Sequence, residues 1–191
     1  MFTGIIKDVG VVLDIERNKG IHTLSIKSKL SQKFKVDESV CHNGVCLTII
    51  SKTKTSHKVQ VIPETLSKTN LGSVKKGSLI NLEPSLTLQF LLSGHLVQGH
   101  VDCTSFIHEI SKENNAFDVW IDIPKSYKKY LIPHGSICVN GVSLTIAELK
   151  NKRFKISLIP YTAENTNFKL FQKGDEVNLE FDVIAKYILN K

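Results

Sequence analysis

Cys41-His42-Asn43-Gly44-Val45-Cys46-Leu47-Thr48-Ile49 returns 97 positions later as Cys138-Val139-Asn140-Gly141-Val142-Ser143-Leu144-Thr145-Ile146. Each copy sets Asn-Gly between apolar residues. Both residues tolerate positive φ, so the pair predicts a tight, primed hairpin turn. In the strand that follows, side chains alternate between faces, which puts Cys46 and Thr48 on one side and Leu47 and Ile49 on the other. The second copy presents Ser143 and Thr145 at the same places. A small polar side chain recurs where a strand could be wholly apolar, and this marks both positions as candidate site residues.

Working outward, the match continues without a gap. Ile62-Pro63-Glu64-Thr65 faces Ile159-Pro160-Tyr161-Thr162, Thr69-Asn70 faces Thr166-Asn167, and Asn81-Leu82-Glu83 faces Asn178-Leu179-Glu180. Phe2-Thr3-Gly4 faces Val97-Gln98-Gly99 more loosely. In the first half, strands are predicted over Phe2 to Ile15 (with a bulge or bend at Gly10), Ile21 to Lys27, Ser39 to Ile50 as a hairpin, Lys58 to Ile62, and Leu79 to Glu83. Short helical turns are predicted at Leu30 to Phe34 and Thr65 to Leu71. About six short strands at close spacing predict a small antiparallel barrel or sandwich. The chain therefore reads as all-β, two related modules of roughly 90 residues each. Their limits are taken as 1–92 and 93–183, followed by a helical tail, 184–191; the helical pattern after Asp182 has Val183, Ala185, Tyr187, Ile188 and Leu189 on its apolar positions and Lys186 outward. Pro84 to Ser93 is the linker, with a helical turn turning Leu86, Phe90 and Leu91 inward. Two such modules are expected to share a pseudo-twofold axis and to hold small ligands in related pockets.

The 191 residues carry 25 basic and 18 acidic side chains, a formal charge of +7. The lysines are scattered, and aromatic residues make up 7% without clustering among them. Nucleic-acid binding through base stacking needs that clustering, so a solvated basic surface is the reading adopted. The four cysteines form no Cys-x-x-Cys pair, which argues against zinc-ribbon and thioredoxin chemistry and for a reducing, cytoplasmic setting. Cys41 and Cys138 read as small core residues. No signal peptide is expected at Met1 to Ile6, and no stretch approaches the ~20 apolar residues that span a bilayer.

Few residues can carry chemistry. Phosphate-loop, nucleophile-elbow and zinc-helix motifs do not occur. His95 and His100 flank Leu96-Val97-Gln98-Gly99, and five positions along a strand would put them on opposite faces, so a shared metal is not expected. His100 is the better candidate, because Gly99 allows a ligand to approach the backbone; His95 reads as a hydrogen-bonding or structural residue. Cys46 could act as a nucleophile only beside a base. Glu64 has Tyr161 as its counterpart, an asymmetry that would let two identical ligands be treated differently.

Taken together, Met-Phe-Thr-Gly-Ile-Ile, the paired Asn-Gly-Val-Cys-Leu-Thr and Asn-Gly-Val-Ser-Leu-Thr, Pro-Glu-Thr-Leu and Gly-His-Leu-Val-Gln-Gly-His-Val-Asp resemble the riboflavin synthase family of α-chain type, over nearly the whole chain. The resemblance implies two six-stranded Greek-key barrels and a homotrimer joined through the C-terminal helices. It implies that two molecules of 6,7-dimethyl-8-ribityllumazine react, one giving a four-carbon unit to the other, to yield riboflavin without metal or organic cofactor. The site would lie between the first barrel of one subunit and the second barrel of the next. In the first-half pocket it implies Gly4, Ile5 and Ile6, Ser39, Cys46, Leu47 and Thr48. To these it adds Gln60, Val61, Ile62, Pro63, Glu64 and Thr65, with Gly99, His100 and Val101. In the second it implies Ser143, Leu144 and Thr145, Ile159, Pro160, Tyr161, Thr162, Ala163 and Glu164, with Asp182. His134 stands where relatives often carry Lys, and Asn140 where they carry Asp. Catalytic roles fall to Ser39, Cys46, Thr48, His100, Ser143 and Thr145. A lumazine- or flavin-binding antenna protein without catalysis is the alternative on the same fold.

Overall fold

The computed structural model describes residues 1–89, 91–113 and 116–189. In the first half β1 (Asp8–Asn18), β2 (Ile21–Lys27), β3 (Ser39–His42), β4 (Val45–Lys52), β5 (Ser56–Val61) and β6 (Leu79–Pro84) close into a barrel in the order β1-β2-β5-β4-β3-β6. The second half contains β7 (Cys103–Glu113), β8 (Ala116–Asp122), β9 (Ser136–Val139), β10 (Val142–Leu149), β11 (Arg153–Leu158) and β12 (Glu176–Phe181), closed as β10-β11-β8-β7-β12-β9. All neighbours are antiparallel. Strands β3, β4 and β5 follow one another as hairpins while β2 lies beside β5, which is Greek-key connectivity. Closure removes the open sheet edges that would otherwise invite other strands.

Alternation decides what lies inside. In β4 the residues Val45, Leu47 and Ile49 are buried, whereas Thr48 and Ile50 are exposed. Leu24, Ile26, Val59, Ile80 and Leu82 complete the first core with no accessible surface, and Ile121, Ile137, Ile146, Phe154, Ile156 and Leu179 do the same in the second. Burying each such side chain contributes about 1.5–3 kcal/mol against the exposed state. Between β5 and β6, α1 (Pro63–Lys68) starts on a proline, whose missing N–H is no loss at a first helical position. Its second-half counterpart is α2 (Pro160–Glu164), and α3 (Val183–Leu189) ends the chain.

The two Asn-Gly turns meet at the pseudo-twofold axis. Asn43 and Asn140 take positive φ, as do Gly44 and Gly141. A Cβ on Gly44 would stand 2.9 Å from the Gly141 nitrogen, and one on Gly141 would stand 2.8 Å from that of Gly44. Six buried asparagines surround the contact. Asn81 Nδ2 donates to the Asn140 carbonyl (2.9 Å) and to Asn167 Oδ1 (2.9 Å). Symmetrically, Asn178 Nδ2 donates to the Asn43 carbonyl (2.8 Å) and to Asn70 Oδ1 (2.9 Å). Asn70 N–H and Asn167 N–H close the set on Asn178 Oδ1 and Asn81 Oδ1, both at 2.7 Å.

Several boundaries differ from expectation. The first strand begins at Asp8, because Gly4 takes a φ of +77° and turns the chain out of strand geometry. Phe2 makes only an isolated bridge to Val97. The bulge in β1 falls between Val12 and Asp14; Gly10 instead makes room for Ile26 and Leu82. Among its described residues the linker holds no helix, and Leu91 is 85% exposed rather than inward. Phe90 lies outside the described residues. Cys41 and Cys138 are buried with Phe2 and Val97 in a small cluster between the barrels, and desolvation raises both thiols well above their usual pKa.

Candidate active site

The halves exchange their leading segments. After the Phe2–Val97 bridge, the Gly4 carbonyl accepts from Ser143 N–H at 2.8 Å, while the Gly99 carbonyl accepts from Cys46 N–H at 2.8 Å. Ile6 then packs on the second core and Val101 on the first. Each crossing is held by a buried carboxylate. Glu83 accepts from Thr3 N (2.8 Å), Thr3 Oγ1 (2.6 Å) and Gly4 N (2.9 Å). Glu180 accepts from Gln98 N (2.6 Å), Gly99 N (2.9 Å) and His100 N (3.0 Å). Burial raises the pKa of both, that of Glu180 to about 7.

The approach is close enough to require glycine at both crossings. A Cβ on Gly4 would lie 2.5 Å from Ser143 Cβ, and one on Gly99 would lie 2.7 Å from Cys46 Cβ. Both glycines also have left-handed φ, which costs an L-residue roughly 1–2 kcal/mol.

Two clefts border these crossings, one on the outer face of the first barrel and one between the two halves. The first, about 300 Å³, is lined by Cys46, Leu47, Thr48, Ile50, Gln60, Ile62 and Thr65. The second, about 820 Å³, includes Gly4, Ile5, Ile6, Ser143, Tyr161, Thr162 and Glu164. Gly4 to Ile6 therefore lie in the second-half cleft, not in the first-half pocket that the resemblance implies for them. The reason is the exchange: their own barrel's β4 is met by Gly99. His100 is exposed next to that contact.

Other candidates are placed as follows. Ser39 pairs with Thr48 across β3 and β4. Thr145 is exposed on β10, facing Ser136. Val61 and Ala163 turn into the cores, so only their backbone can meet a ligand. Pro63 and Pro160 start α1 and α2, and Ile159 is 61% exposed. Glu64 Oε1 pairs with Lys68 at 2.8 Å, which lowers its pKa. Leu144 is half-buried against the second core. His134 sits in a turn at φ 64° and lines neither cleft. Asp182 Oδ1 accepts from Ile184 N at 2.9 Å, capping α3.

His95 is closer to the candidate chemistry than its sequence context indicated. Its Nδ1 lies 2.6 Å from Ser143 Oγ, and its N–H donates to the Thr3 carbonyl at 3.2 Å. Burial lowers its pKa, with Asp182 opposing. His95 lies outside the matched segments of the repeat, so no repeat partner flags it. The second cleft also takes in Lys7, Lys29 and Lys169, which the fold brings in from segments far apart in sequence. Ile50 could have been found, since it continues the outward face of Cys46 and Thr48.

Comparison with known proteins agrees with this architecture. The lumazine binding domain matches twice, over residues 3–85 and 98–182. The chain is 40% identical to riboflavin synthase of Bacillus subtilis (strain 168), covering 98% of this chain and 88% of that one. It is 36% identical to riboflavin synthase of Photobacterium phosphoreum, covering 98% and 87%, and 38% identical to that of Mycobacterium tuberculosis (strain ATCC 25618 / H37Rv), covering 98% and 96%. Among solved structures, LumP complexed with riboflavin superposes with a TM-score of 0.89 at 23% identity, over 95% of this chain and 99% of that one. LumP complexed with 6,7-dimethyl-8-(1'-D-ribityl) lumazine gives 0.86 at 24%, over 94% and 98%. With two lumazine binding domains and full-length similarity to curated relatives, the chain belongs to the riboflavin synthase family.

Proposed function

We propose that the protein catalyses the riboflavin synthase reaction: of two molecules of 6,7-dimethyl-8-ribityllumazine, one donates a four-carbon unit to the other, giving riboflavin and 5-amino-6-(D-ribitylamino)uracil. One observation carries this beyond family membership. Both halves keep a polar pair on the outer face of the equivalent strand, Cys46 with Thr48 and Ser143 with Thr145, each beside a segment donated by the other half. A carrier needs one such pocket; a reaction between two copies of one molecule needs two.

The substrate's ring system stabilises a carbanion at its 7-methyl group, so no strong base is required. The protein must hold two rings face to face in opposite orientation. Positioning of that kind contributes ~7–11 kcal/mol to lowering a barrier. Hydroxyls and backbone amides around the rings stabilise the charge that develops. In this reading Ser39, Cys46, Thr48 and His100 act on one ring, and Ser143 and Thr145 on the other.

The same reading makes the protein a transferase and a cytoplasmic homotrimer, with modules at 1–92 and 93–183. The first-half cleft of one subunit would face the second-half cleft of its neighbour. The apolar face of α3 supports assembly: Ile184 is 61%, Tyr187 77% and Ile188 63% exposed. Among the described residues no helix is long and apolar enough to cross a membrane. Fluorescence titration with the lumazine, followed by product analysis, tests the proposal. Binding followed by riboflavin formation supports it; saturable binding without product would favour the antenna alternative.

A further inference from the structure

Asp102 joins three elements at the end of the crossing segment. Lys186 Nζ on α3 donates to Asp102 Oδ1 (3.0 Å) and Oδ2 (2.9 Å). Phe181 N–H donates to Oδ2 (2.9 Å), and the Tyr127 hydroxyl donates to the Asp102 carbonyl (2.9 Å). Asp102 N–H in turn donates to the Leu179 carbonyl (2.9 Å). The ion pair is largely enclosed, with the two side chains 19% and 17% exposed. Enclosed, two-oxygen geometry makes such a pair stronger than an ordinary surface one. Among the described residues no such ion pair holds the other crossing. There the residue in register with Asp102 is Lys7, whose N–H donates to the Leu82 carbonyl, and the chain leaves β6 into a linker instead of a helix.

Two residues upstream of Asp102 is His100, and three upstream is Gly99, whose carbonyl accepts from Cys46 N–H. The ion pair thus anchors the segment whose Gly99 meets Cys46, a lining residue of the first-half cleft, on a helix whose other face is apolar and exposed. We infer that Lys186 is a positioning residue for that cleft: through Asp102 it fixes Gly99, His100 and Val101 against Cys46, and so ties the seating of α3 to the order of the pocket. The inference rests on reading the first-half cleft as a substrate pocket.

Electrostatics add a second signature. Lys186 helps keep Glu180 ionised against its burial, and Glu180 holds Gln98, Gly99 and His100. The other ionisable groups around Glu180 are the thiols of Cys41 on β3 and Cys138 on β9, both pushed upward and therefore neutral. Beside Asp102 stand the Cys103 thiol, raised by burial to about 12, and the Tyr127 phenol, also raised. Lys68 acts on Tyr127, whereas Lys186 is the cation that lowers the Glu180 pKa, and its loss drives that pKa higher.

The test uses the full-length protein with Lys186→Met, which keeps the aliphatic stem, and Lys186→Arg, which keeps the ion pair. Lys186→Met is expected to speed amide hydrogen exchange across residues 98–102. It should lower kcat about tenfold with KM changed less than about twofold, the split expected of a misplaced transition-state contact. The acid limb of its kcat–pH profile should move to higher pH. Lys186→Arg should restore all three. Wild-type exchange in 98–102, or an unchanged pH profile, in a folded Lys186→Met protein would overturn the inference. So would equal loss in both variants with lowered Tm, or loss of assembly with exchange in 98–102 unchanged. If the wild type forms no riboflavin, the proposed function falls and the exchange comparison alone decides the role of Lys186.

Discussion

Cys46 and Ser143 occupy equivalent places but meet different partners. Sequence comparison alone makes Cys46→Ser the damaging change and Ser143→Cys the milder one. The 2.6 Å contact between Ser143 and His95 alters the second expectation. A thiol is a weaker hydrogen-bond partner with longer reach, so Ser143→Cys disrupts a contact that the first half lacks. Each substitution is expected to lower kcat and kcat/KM together by about tenfold, with little change in ligand affinity. Steady-state kinetics with a parallel binding titration checks this; wild-type turnover in both variants would mean the positions only pack. A second residue-scale prediction concerns His42 and His57, buried in the first barrel where the second has Val139 and Phe154. His42 Nδ1–H donates to the Val40 carbonyl (2.9 Å), leaving Nε2 to accept from His57 Nε2–H (3.0 Å), while His57 Nδ1 accepts from Ser31 Oγ (2.8 Å). This closed arrangement needs both rings neutral, and burial holds their pKa values at about 3 and about 4. The unfolded chain binds protons at higher pH, so this stability is full above about pH 6.5 and is lost as pH falls toward 4. Glu83 and Glu180, raised by burial, act in the opposite sense. The difference between wild type and the double variant His42→Val, His57→Phe isolates the histidine contribution. Urea unfolding should show that difference change by a few kcal/mol between about pH 7 and pH 4; parallel profiles would contradict it.

At the scale of elements, the helix expected over Thr65 to Leu71 instead spans Pro63–Lys68, since proline fits a first helical position. The hairpin and its two-faced strand were legible because each rests on local rules: Asn-Gly turn chemistry and period-two alternation. The exchange of leading segments was not. Phe2-Thr3-Gly4 and Val97-Gln98-Gly99 were visible as counterparts, but which barrel each joins depends on contacts between Gly4 and Ser143 and between Gly99 and Cys46. No local pattern encodes that choice. The same close approach yields a prediction. Gly99→Ala would add a Cβ at 2.7 Å from Cys46 and 2.8 Å from Phe2, on left-handed backbone. A cost of about 2–5 kcal/mol is expected from strain and overpacking combined. Thermal unfolding measures it, and Gly77→Ala, with open space around its Cβ position, serves as the control for left-handed φ alone.

At the scale of the whole molecule, the sequence announced two modules but not what joins them. The matches Asn43 with Asn140, Asn70 with Asn167 and Asn81 with Asn178 read equally well as turn or strand residues; only the structure gathers them at the axis. Because both halves supply the same three asparagines, a fragment of residues 1 to about 90 can reproduce the interface with a second copy of itself. Sedimentation should find it a folded dimer that binds the lumazine. A folded monomer would show that the asparagine cluster does not direct pairing. Catalysis is the central claim, and stoichiometry tests it most directly. Purified protein with excess chelator should consume two lumazine molecules for each riboflavin and each 5-amino-6-(D-ribitylamino)uracil formed. Saturable lumazine binding with no riboflavin, or turnover that returns only with added metal, would contradict the account.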